Sequence, residues 1–188
     1  MTNADKVTLS RIFLAPVFFI AYRYAPKSSL LSVLFLWILF ATIELSDLVD
    51  GRVARAEGKV SSFGKLFDPF ADVLARITYF VCFAFDGAMP IWIFLIILYR
   101  EFGMLFMRML LGMKGVAMGA RSGGKLKAGI YMVAGAISLA LVSFERLGIL
   151  SSLSVHLRRA SLVAYIAAAI LSVASFIDYL IQFRKLSA

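Results

Sequence analysis

Long apolar runs alternate with short charged stretches along this chain. Six runs contain no Asp, Glu, Lys or Arg, namely residues 12–22, 28–43, 77–85, 87–99, 128–144 and 160–177. A helix needs about 20 residues to cross the hydrocarbon core of a bilayer, so several of these runs are too short alone. They become long enough only if neighbouring charged residues belong to the same helices. The first of six predicted helices begins near Lys6. The other five cover residues 29–55, 65–85, 89–111, 125–144 and 156–183.

The overall composition supports a membrane protein. Of the 188 residues, 62% are hydrophobic and 16% are charged, whereas about 25% are charged in soluble domains. A chain of this size cannot hide so much apolar surface in a water-soluble core. We therefore expect an all-α polytopic membrane protein, with residues 1–188 forming a single transmembrane domain. Membrane lipids are the expected surroundings, and nucleic acid is not an expected partner.

The basic residues predict how the helices are oriented. If six helices alternate in direction, 14 of the 20 Lys and Arg residues lie on one side of the membrane. The positive-inside rule makes that side cytoplasmic, with both termini inside. Because charges within apolar helices should face a bundle interior or a wet cavity, the pattern predicts a polar cavity open to the cytoplasm.

Four aspartates are concentrated between residues 47 and 72. Asp47 and Asp50 share a face at the end of the second predicted helix, and Asp68 and Asp72 share one at the start of the third. If residues 57–63 turn the chain back, the two pairs face each other. Clustered carboxylates repel unless cations neutralise them, and they suit two Mg²⁺, Mn²⁺ or Ca²⁺ ions about 3.5–4 Å apart. Three alternative interpretations remain open. Residues 50–51 could form a simple turn, an aspartate and an arginine could form an ordinary ion pair, or the carboxylates could line a proton or cation pathway, as in transporters.

The same stretch resembles the signature of a known enzyme family. Residues 47–72 match, without a gap, the pattern D-x2-D-G-x2-A-R-x8-G-x3-D-x3-D of the CDP-alcohol phosphotransferases. Members are similar in having six transmembrane helices, being usually dimeric, and placing the site near the cytoplasmic surface. The resemblance therefore implies a homodimer in a bacterial cytoplasmic membrane. The matching positions are Asp47, Asp50, Gly51, Ala54, Arg55, Gly64, Asp68 and Asp72.

The resemblance also implies a reaction and a role for each matching position. A hydroxyl group attacks the β-phosphorus of a CDP-alcohol such as CDP-diacylglycerol, and CMP leaves. Asp47, Asp50, Asp68 and Asp72 would bind two divalent cations, Mg²⁺ or Mn²⁺, and Asp72 would also be the base that activates the hydroxyl. The residues expected near the CDP moiety are Thr8, Asp50, Gly51, Ala54, Arg55 and Gly64.

Outside the signature, the chain most resembles the phosphatidylglycerophosphate synthase branch of that family. The stretch "DKVTLSR" and the stretch "REFGMLFMR" are similar to motifs of that branch. Arg100, Arg108 and Lys125 then form a cationic pocket beside the metals, which suits a phosphate-bearing acceptor such as glycerol 3-phosphate. The alternative is that these are interfacial residues of the cytoplasmic side. Inositol phosphate, serine or another alcohol stays open as the acceptor.

Two further charges lie deeper in the predicted helices. Glu44 is one helical turn deeper than Asp47, and Arg76 is one turn deeper than Asp72. A charge inside an apolar helix needs a partner, and these positions are ones from which Glu44 and Arg76 could pair behind the metal site.

Overall fold

The structure, a computed structural model, describes the backbone of residues 3–57, 64–115, 122–149 and 151–187. Side chains are described for residues 8–46, 67–115, 126–149 and 152–186. These ranges contain six α-helices and no strand, which confirms the all-α prediction. The helices are α1 (Asn3–Tyr24), α2 (Leu30–Glu57), α3 (Gly64–Phe85), α4 (Ile91–Met113), α5 (Ser122–Leu147) and α6 (Ser151–Ser187).

Some helix ends differ from the predicted ones, because the hydropathy pattern carries no information about helix capping. α4 begins at Ile91 rather than at Met89, because Pro90 occupies the N-cap with an extended backbone. A residue that precedes proline is disfavoured in a helix, so Met89 stays outside. The backbone N–H groups of Ile93 and Phe94 donate to the Pro90 carbonyl, both at 3.1 Å.

Glycines with positive φ follow three of the helices. Gly87 (φ 71°) follows α3, Gly115 (φ 71°) follows α4 and Gly148 (φ 65°) follows α5. After α3, the Ala88 N–H donates to the Phe83 carbonyl at 2.9 Å, as in the Schellman motif. A side chain with a Cβ is strained in this left-handed conformation, so glycine makes the sharp stop possible.

The described part of the chain contains two compact units. The first comprises Met1–Cys82 and Val142–Ser151, and the second comprises Phe83–Leu141 and Ser152–Ala188. Each unit has its own buried residues. That residues 1–188 form one transmembrane domain stays a prediction.

An aromatic cluster forms the core of the first unit. The Tyr79 ring lies 4.9 Å from Phe80, 5.2 Å from Phe40 and 6.3 Å from Phe18, in edge-on arrangements. Aromatic pairs of this kind contribute about 0.5–1.5 kcal/mol each beyond their buried area. The cluster therefore joins α1, α2 and α3 near the polar residues described below.

The core of the second unit lies where α4 packs on α6. Met104, Met107 and Tyr179 are buried together, and Phe176 and Phe183 pack against them. Unbranched methionines adapt to the aromatic rings, which helps the two helices to pack closely.

Apolar exposure and helix length indicate a membrane. Within the described ranges, Leu126–Leu147 and Ser152–Leu186 are long and apolar enough to cross a bilayer, and Leu30–Ser46 is a shorter apolar helix. Exposed apolar surface of this extent is not expected in water, so the protein associates with a membrane. Large exposed apolar side chains occur on all six helices, for example Phe13, Leu31, Phe70, Trp92, Val133 and Val163.

Candidate functional site

Two residues of α1 contact two of the predicted metal ligands on α3. Thr8 Oγ1 donates a hydrogen bond to Asp68 Oδ1 at 2.7 Å, and the Arg11 guanidinium forms an ion pair with the Asp72 carboxylate. Both α1 side chains are buried. Thr8 and Arg11 are spaced i, i+3, and Asp68 and Asp72 are spaced i, i+4, so each pair lies on one helix face. The two faces meet, which holds both carboxylates in place.

The chemistry of these two carboxylates fits a divalent cation. Mg²⁺ and Mn²⁺ prefer hard oxygen ligands, and ligating carboxylates are commonly oriented by a further hydrogen bond, as Thr8 provides for Asp68. Among the side chains that the structure describes, no group of three or more His, Cys, Asp or Glu residues would hold a metal. Asp68 and Asp72 would therefore supply part of a site, and the remaining ligands would come from elsewhere.

The other signature residues have described backbones only. Positions 47, 50, 51, 54 and 55 lie in the last turns of α2, and position 64 is the first residue of α3. The predicted helical setting of both acidic pairs is therefore confirmed. The side chains of Asp47, Asp50, Ala54 and Arg55 lie outside the described residues, and their approach to Asp68 and Asp72 stays a prediction.

The predicted pairing of Glu44 with Arg76 is confirmed. Arg76 Nε lies 3.7 Å from Glu44 Oε1, and the Tyr79 hydroxyl donates to the same oxygen at 2.8 Å. Glu44 is buried. A buried carboxylate needs such partners, since removing them leaves an uncompensated charge.

A second polar cluster lies in the other unit, where α4, α5 and α6 meet. Arg100 Nη1 donates to both carboxylate oxygens of Glu101 at 3.0 and 3.1 Å, and its Nη2 donates to Ser175 Oγ at 2.9 Å. Lys127 Nζ donates to Glu101 Oε1 at 2.5 Å, and the Tyr131 hydroxyl donates to it at 3.1 Å. The Glu101 carboxylate thus joins two cations and a phenol on two helices.

The predicted acceptor-binding residues fall partly within this cluster. Arg100 is buried and held by Glu101. Arg108 lies two turns further along α4, and its buried Nε has no hydrogen-bond partner among the described residues. Position 125 is in the first turn of α5, but the Lys125 side chain lies outside the described residues. A common pocket of these three stays a prediction.

The sequence motifs assign no role to Arg11, Glu101 or Lys127. For Glu101, a usable signal was present, because a carboxylate in an otherwise apolar helix requires a cationic partner. Arg100 is adjacent in sequence, but Lys127 is 26 residues away. For Arg11, the signal was its i, i+3 spacing from Thr8, but nothing in that spacing identifies Asp72 as its partner.

Comparisons with known proteins give a consistent result. A protein-family model described as CDP-alcohol phosphatidyltransferase matches residues 1–157. The CDP-diacylglycerol–glycerol-3-phosphate 3-phosphatidyltransferase of Treponema pallidum is 40% identical, with 97% of this chain and 89% of the relative aligned. A probable phosphatidylglycerophosphate synthase of Mycobacterium tuberculosis is 32% identical over 94% of this chain and 78% of the relative. The CDP-diacylglycerol–glycerol-3-phosphate 3-phosphatidyltransferase of Bacillus subtilis is 33% identical over 69% of this chain and 72% of the relative.

Proposed function

The chain belongs to the CDP-alcohol phosphatidyltransferase family, and we propose that it transfers the phosphatidyl group of CDP-diacylglycerol to glycerol 3-phosphate. The products are phosphatidylglycerol phosphate and CMP. The observation that carries the proposal is the similarity, over nearly the whole of both chains, to a relative named for this reaction. The fully retained aspartate signature of residues 47–72 is consistent with it.

Four aspartates are the proposed metal ligands, namely Asp47, Asp50, Asp68 and Asp72. Two divalent cations, Mg²⁺ or Mn²⁺, would when bound neutralise the diphosphate of CDP-diacylglycerol and favour departure of CMP. The support from the structure is the donor set, because α1 already holds the carboxylates of Asp68 and Asp72 on one face of α3.

Asp72 is the proposed base. Its carboxylate accepts the proton of the acceptor hydroxyl as the oxygen attacks the β-phosphorus of CDP-diacylglycerol. The hydroxyl oxygen forms the new P–O bond while the bond from that phosphorus to the bridging oxygen of CMP breaks. The contact with Arg11 supports this role, because it limits the orientations that the carboxylate can adopt.

The CDP moiety is proposed to bind along the end of α2. Gly51 and Ala54 leave space for a bulky group, and the Arg55 guanidinium suits a phosphate. Thr8 contacts Asp68, so its proposed place beside CDP is at the edge of the metal ligands. The residues proposed to contact CDP are Thr8, Asp50, Gly51, Ala54, Arg55 and Gly64.

The acceptor phosphate is proposed to bind to Arg100, Arg108 and Lys125. Guanidinium groups match the oxygens of a phosphate with two parallel hydrogen bonds. The buried Nε of Arg108, which has no partner among the described residues, supports an anionic ligand there. Serine has no phosphate group, so it would not supply the oxygens that these guanidinium groups match.

We propose that all six helices cross a bacterial cytoplasmic membrane, with the site facing the cytoplasm and two copies forming a homodimer. The shortest helices have 22 residues, which corresponds to about 33 Å at 1.5 Å per residue. That length exceeds the hydrocarbon core of about 30 Å. The excess of basic residues on one side supports the orientation, and family resemblance supports the homodimer. An interfacial site suits one lipid substrate and one water-soluble substrate.

CMP release from CDP-diacylglycerol tests the proposal. The purified protein in detergent is given Mn²⁺ or Mg²⁺ and one acceptor at a time, namely glycerol 3-phosphate, inositol phosphate, serine or glycerol. We expect glycerol 3-phosphate to be preferred, EDTA to abolish release, and Asp72→Asn to reduce the rate by at least a hundredfold. Preference for another acceptor would refute the proposed substrate, and near-normal turnover by Asp72→Asn would remove Asp72 as the base.

A further inference from the structure

Arg11 on α1 engages one oxygen of the proposed base. Its Nη1 contacts Asp72 Oδ1, and only 2% of the Arg11 side chain is exposed, against 23% of the Asp72 side chain. The Oδ1 atom itself is buried, so the accessible part of Asp72 is the rest of its side chain. A guanidinium group stays protonated in proteins. The Asp72 carboxylate is therefore paired with a permanent positive charge.

Asp68 has a different kind of partner on the same face of α1. Thr8 Oγ1 donates a hydrogen bond to its Oδ1 at 2.7 Å. A hydroxyl donor orients a carboxylate without neutralising it, whereas a guanidinium group both orients and neutralises it. The two carboxylates lie one turn apart on α3, yet α1 supplies a neutral donor to one and a full charge to the other.

The charge on Arg11 affects how strongly Asp72 attracts a divalent cation. Any cation bound by this carboxylate lies near the guanidinium group, because both use the same small group of atoms. Like charges repel, and burial weakens the screening of that repulsion by water and salt. Asp72 is therefore a weaker metal ligand than an aspartate without a cationic partner.

We propose that Arg11 is a positioning residue that reserves Asp72 for proton transfer and weakens its hold on the divalent cation. The inference rests on the proposed function and divides the roles within it. Arg11 touches neither substrate. It holds Oδ1 and so fixes the plane of the carboxylate, Oδ2 accepts the proton of the acceptor hydroxyl, and Asp68 is the stronger metal ligand of the two.

Arg11→Gln is the most informative variant, because it keeps a hydrogen-bond donor of similar length and removes the charge. Mn²⁺ binding is measured without substrate, from the EPR signal of free Mn²⁺ in a titration of the protein in detergent. Close charge pairs are coupled by at least about tenfold in affinity, so we expect Arg11→Gln to lower the dissociation constant of Mn²⁺ about tenfold. The kcat for CMP release at saturating Mn²⁺ and substrates should fall at least about tenfold.

Two other variants complete the test. Arg11→Lys keeps the charge but loses the planar group, so the dissociation constant of Mn²⁺ should stay within about twofold of wild type and kcat should be partly restored. This variant also decides the question if Arg11→Gln does not fold. Arg23→Gln is the matched control, because Arg23 is an exposed arginine about 18 Å further along α1. It should leave both constants at the wild-type values.

The outcomes separate a positioning role from a merely structural one. Loss of a structural contact would weaken Mn²⁺ binding and turnover together, whereas the inference requires tighter binding and slower turnover in Arg11→Gln. Unchanged or weaker Mn²⁺ binding by Arg11→Gln would overturn it, as would a wild-type kcat in that variant. A Mn²⁺ dissociation constant in Arg11→Lys that is about tenfold below the wild-type value would also overturn it, because the charge is retained.

Failure of the inference is distinguishable from failure of the proposed function. If the wild-type protein releases CMP with glycerol 3-phosphate but Arg11→Gln does not bind Mn²⁺ more tightly, only the inference is wrong. If the wild-type protein releases no CMP with that acceptor, the proposed function is wrong, and the assignment of Arg11 to proton transfer is overturned with it.

Discussion

The hydrogen bond from Thr8 to Asp68 gives a sharp prediction about metal dependence. Thr8→Val keeps nearly the same side-chain shape but removes the hydroxyl donor. Asp68 then loses a contact of 2.7 Å in a place where Thr8 is fully buried. We expect the Asp68 carboxylate to become free to rotate and the protein to bind Mn²⁺ more weakly.

The magnitude follows from the type of hydrogen bond. A bond to a charged group contributes about 1.5–3 kcal/mol, and the short distance is typical of a strong O–H···O⁻ contact. Since about 1.4 kcal/mol corresponds to a factor of ten, the effect is about 10- to 100-fold. Loss of a group that orients a metal ligand usually has an effect of this size.

The measurement is the Mn²⁺ concentration that gives half-maximal CMP release at saturating CDP-diacylglycerol. Thr8→Val should raise that concentration, whereas Thr8→Ser, which keeps the donor, should remain within about threefold of wild type. Wild-type metal dependence of Thr8→Val would show that the reasoning from Asp68 is wrong. A higher KM for CDP-diacylglycerol in the same variant would then leave Thr8 only its proposed contact with CDP.

Two predictions concern stability rather than chemistry. Tyr79→Phe keeps the ring but removes the donor to Glu44, so the free energy of unfolding in mixed detergent micelles should fall by about 1.5–3 kcal/mol; Tyr79→Leu should lose more, and equal losses would refute the role of the hydroxyl. Gly103→Leu should cost about 1–3 kcal/mol, because a Cβ there would lie 3.0 Å from the Phe176 ring. Gly129→Leu is the control, since a Cβ at Gly129 meets nothing within 4 Å. A wild-type unfolding midpoint for Gly103→Leu would contradict the close packing of α4 on α6.

The helices could be predicted from the sequence because each one follows from the hydropathy of residues that are neighbours in the chain. Each apolar run, extended through its charged neighbours, corresponds to one observed helix. The differences lie at the helix ends. At the start of α4, capping by Pro90 rather than hydropathy decides the first residue. The pair formed by Glu44 and Arg76 was also predictable, because both lie one turn from an aspartate that the spacing places on a known helix face.

The identity of most charged partners was not predictable in this way. Thr8 and Asp68 are 60 residues apart, and Lys127 and Glu101 are 26 residues apart. The sequence pattern predicts that Arg100 binds a phosphate, whereas the structure shows that Glu101 holds its guanidinium. Both descriptions are compatible, but only the structure reveals the residue that orients the cation.

The sequence by itself determined the all-helical class, the approximate helix ranges and the faces on which the aspartates lie, because the helical repeat is a property of neighbouring residues. The tertiary structure decided that Arg11 meets Asp72 and that one carboxylate, Glu101, serves two cations. Those contacts depend on the rotation and axial position of one helix against another. Side-chain packing over the whole length of the helices sets both, and no short stretch of sequence contains that information.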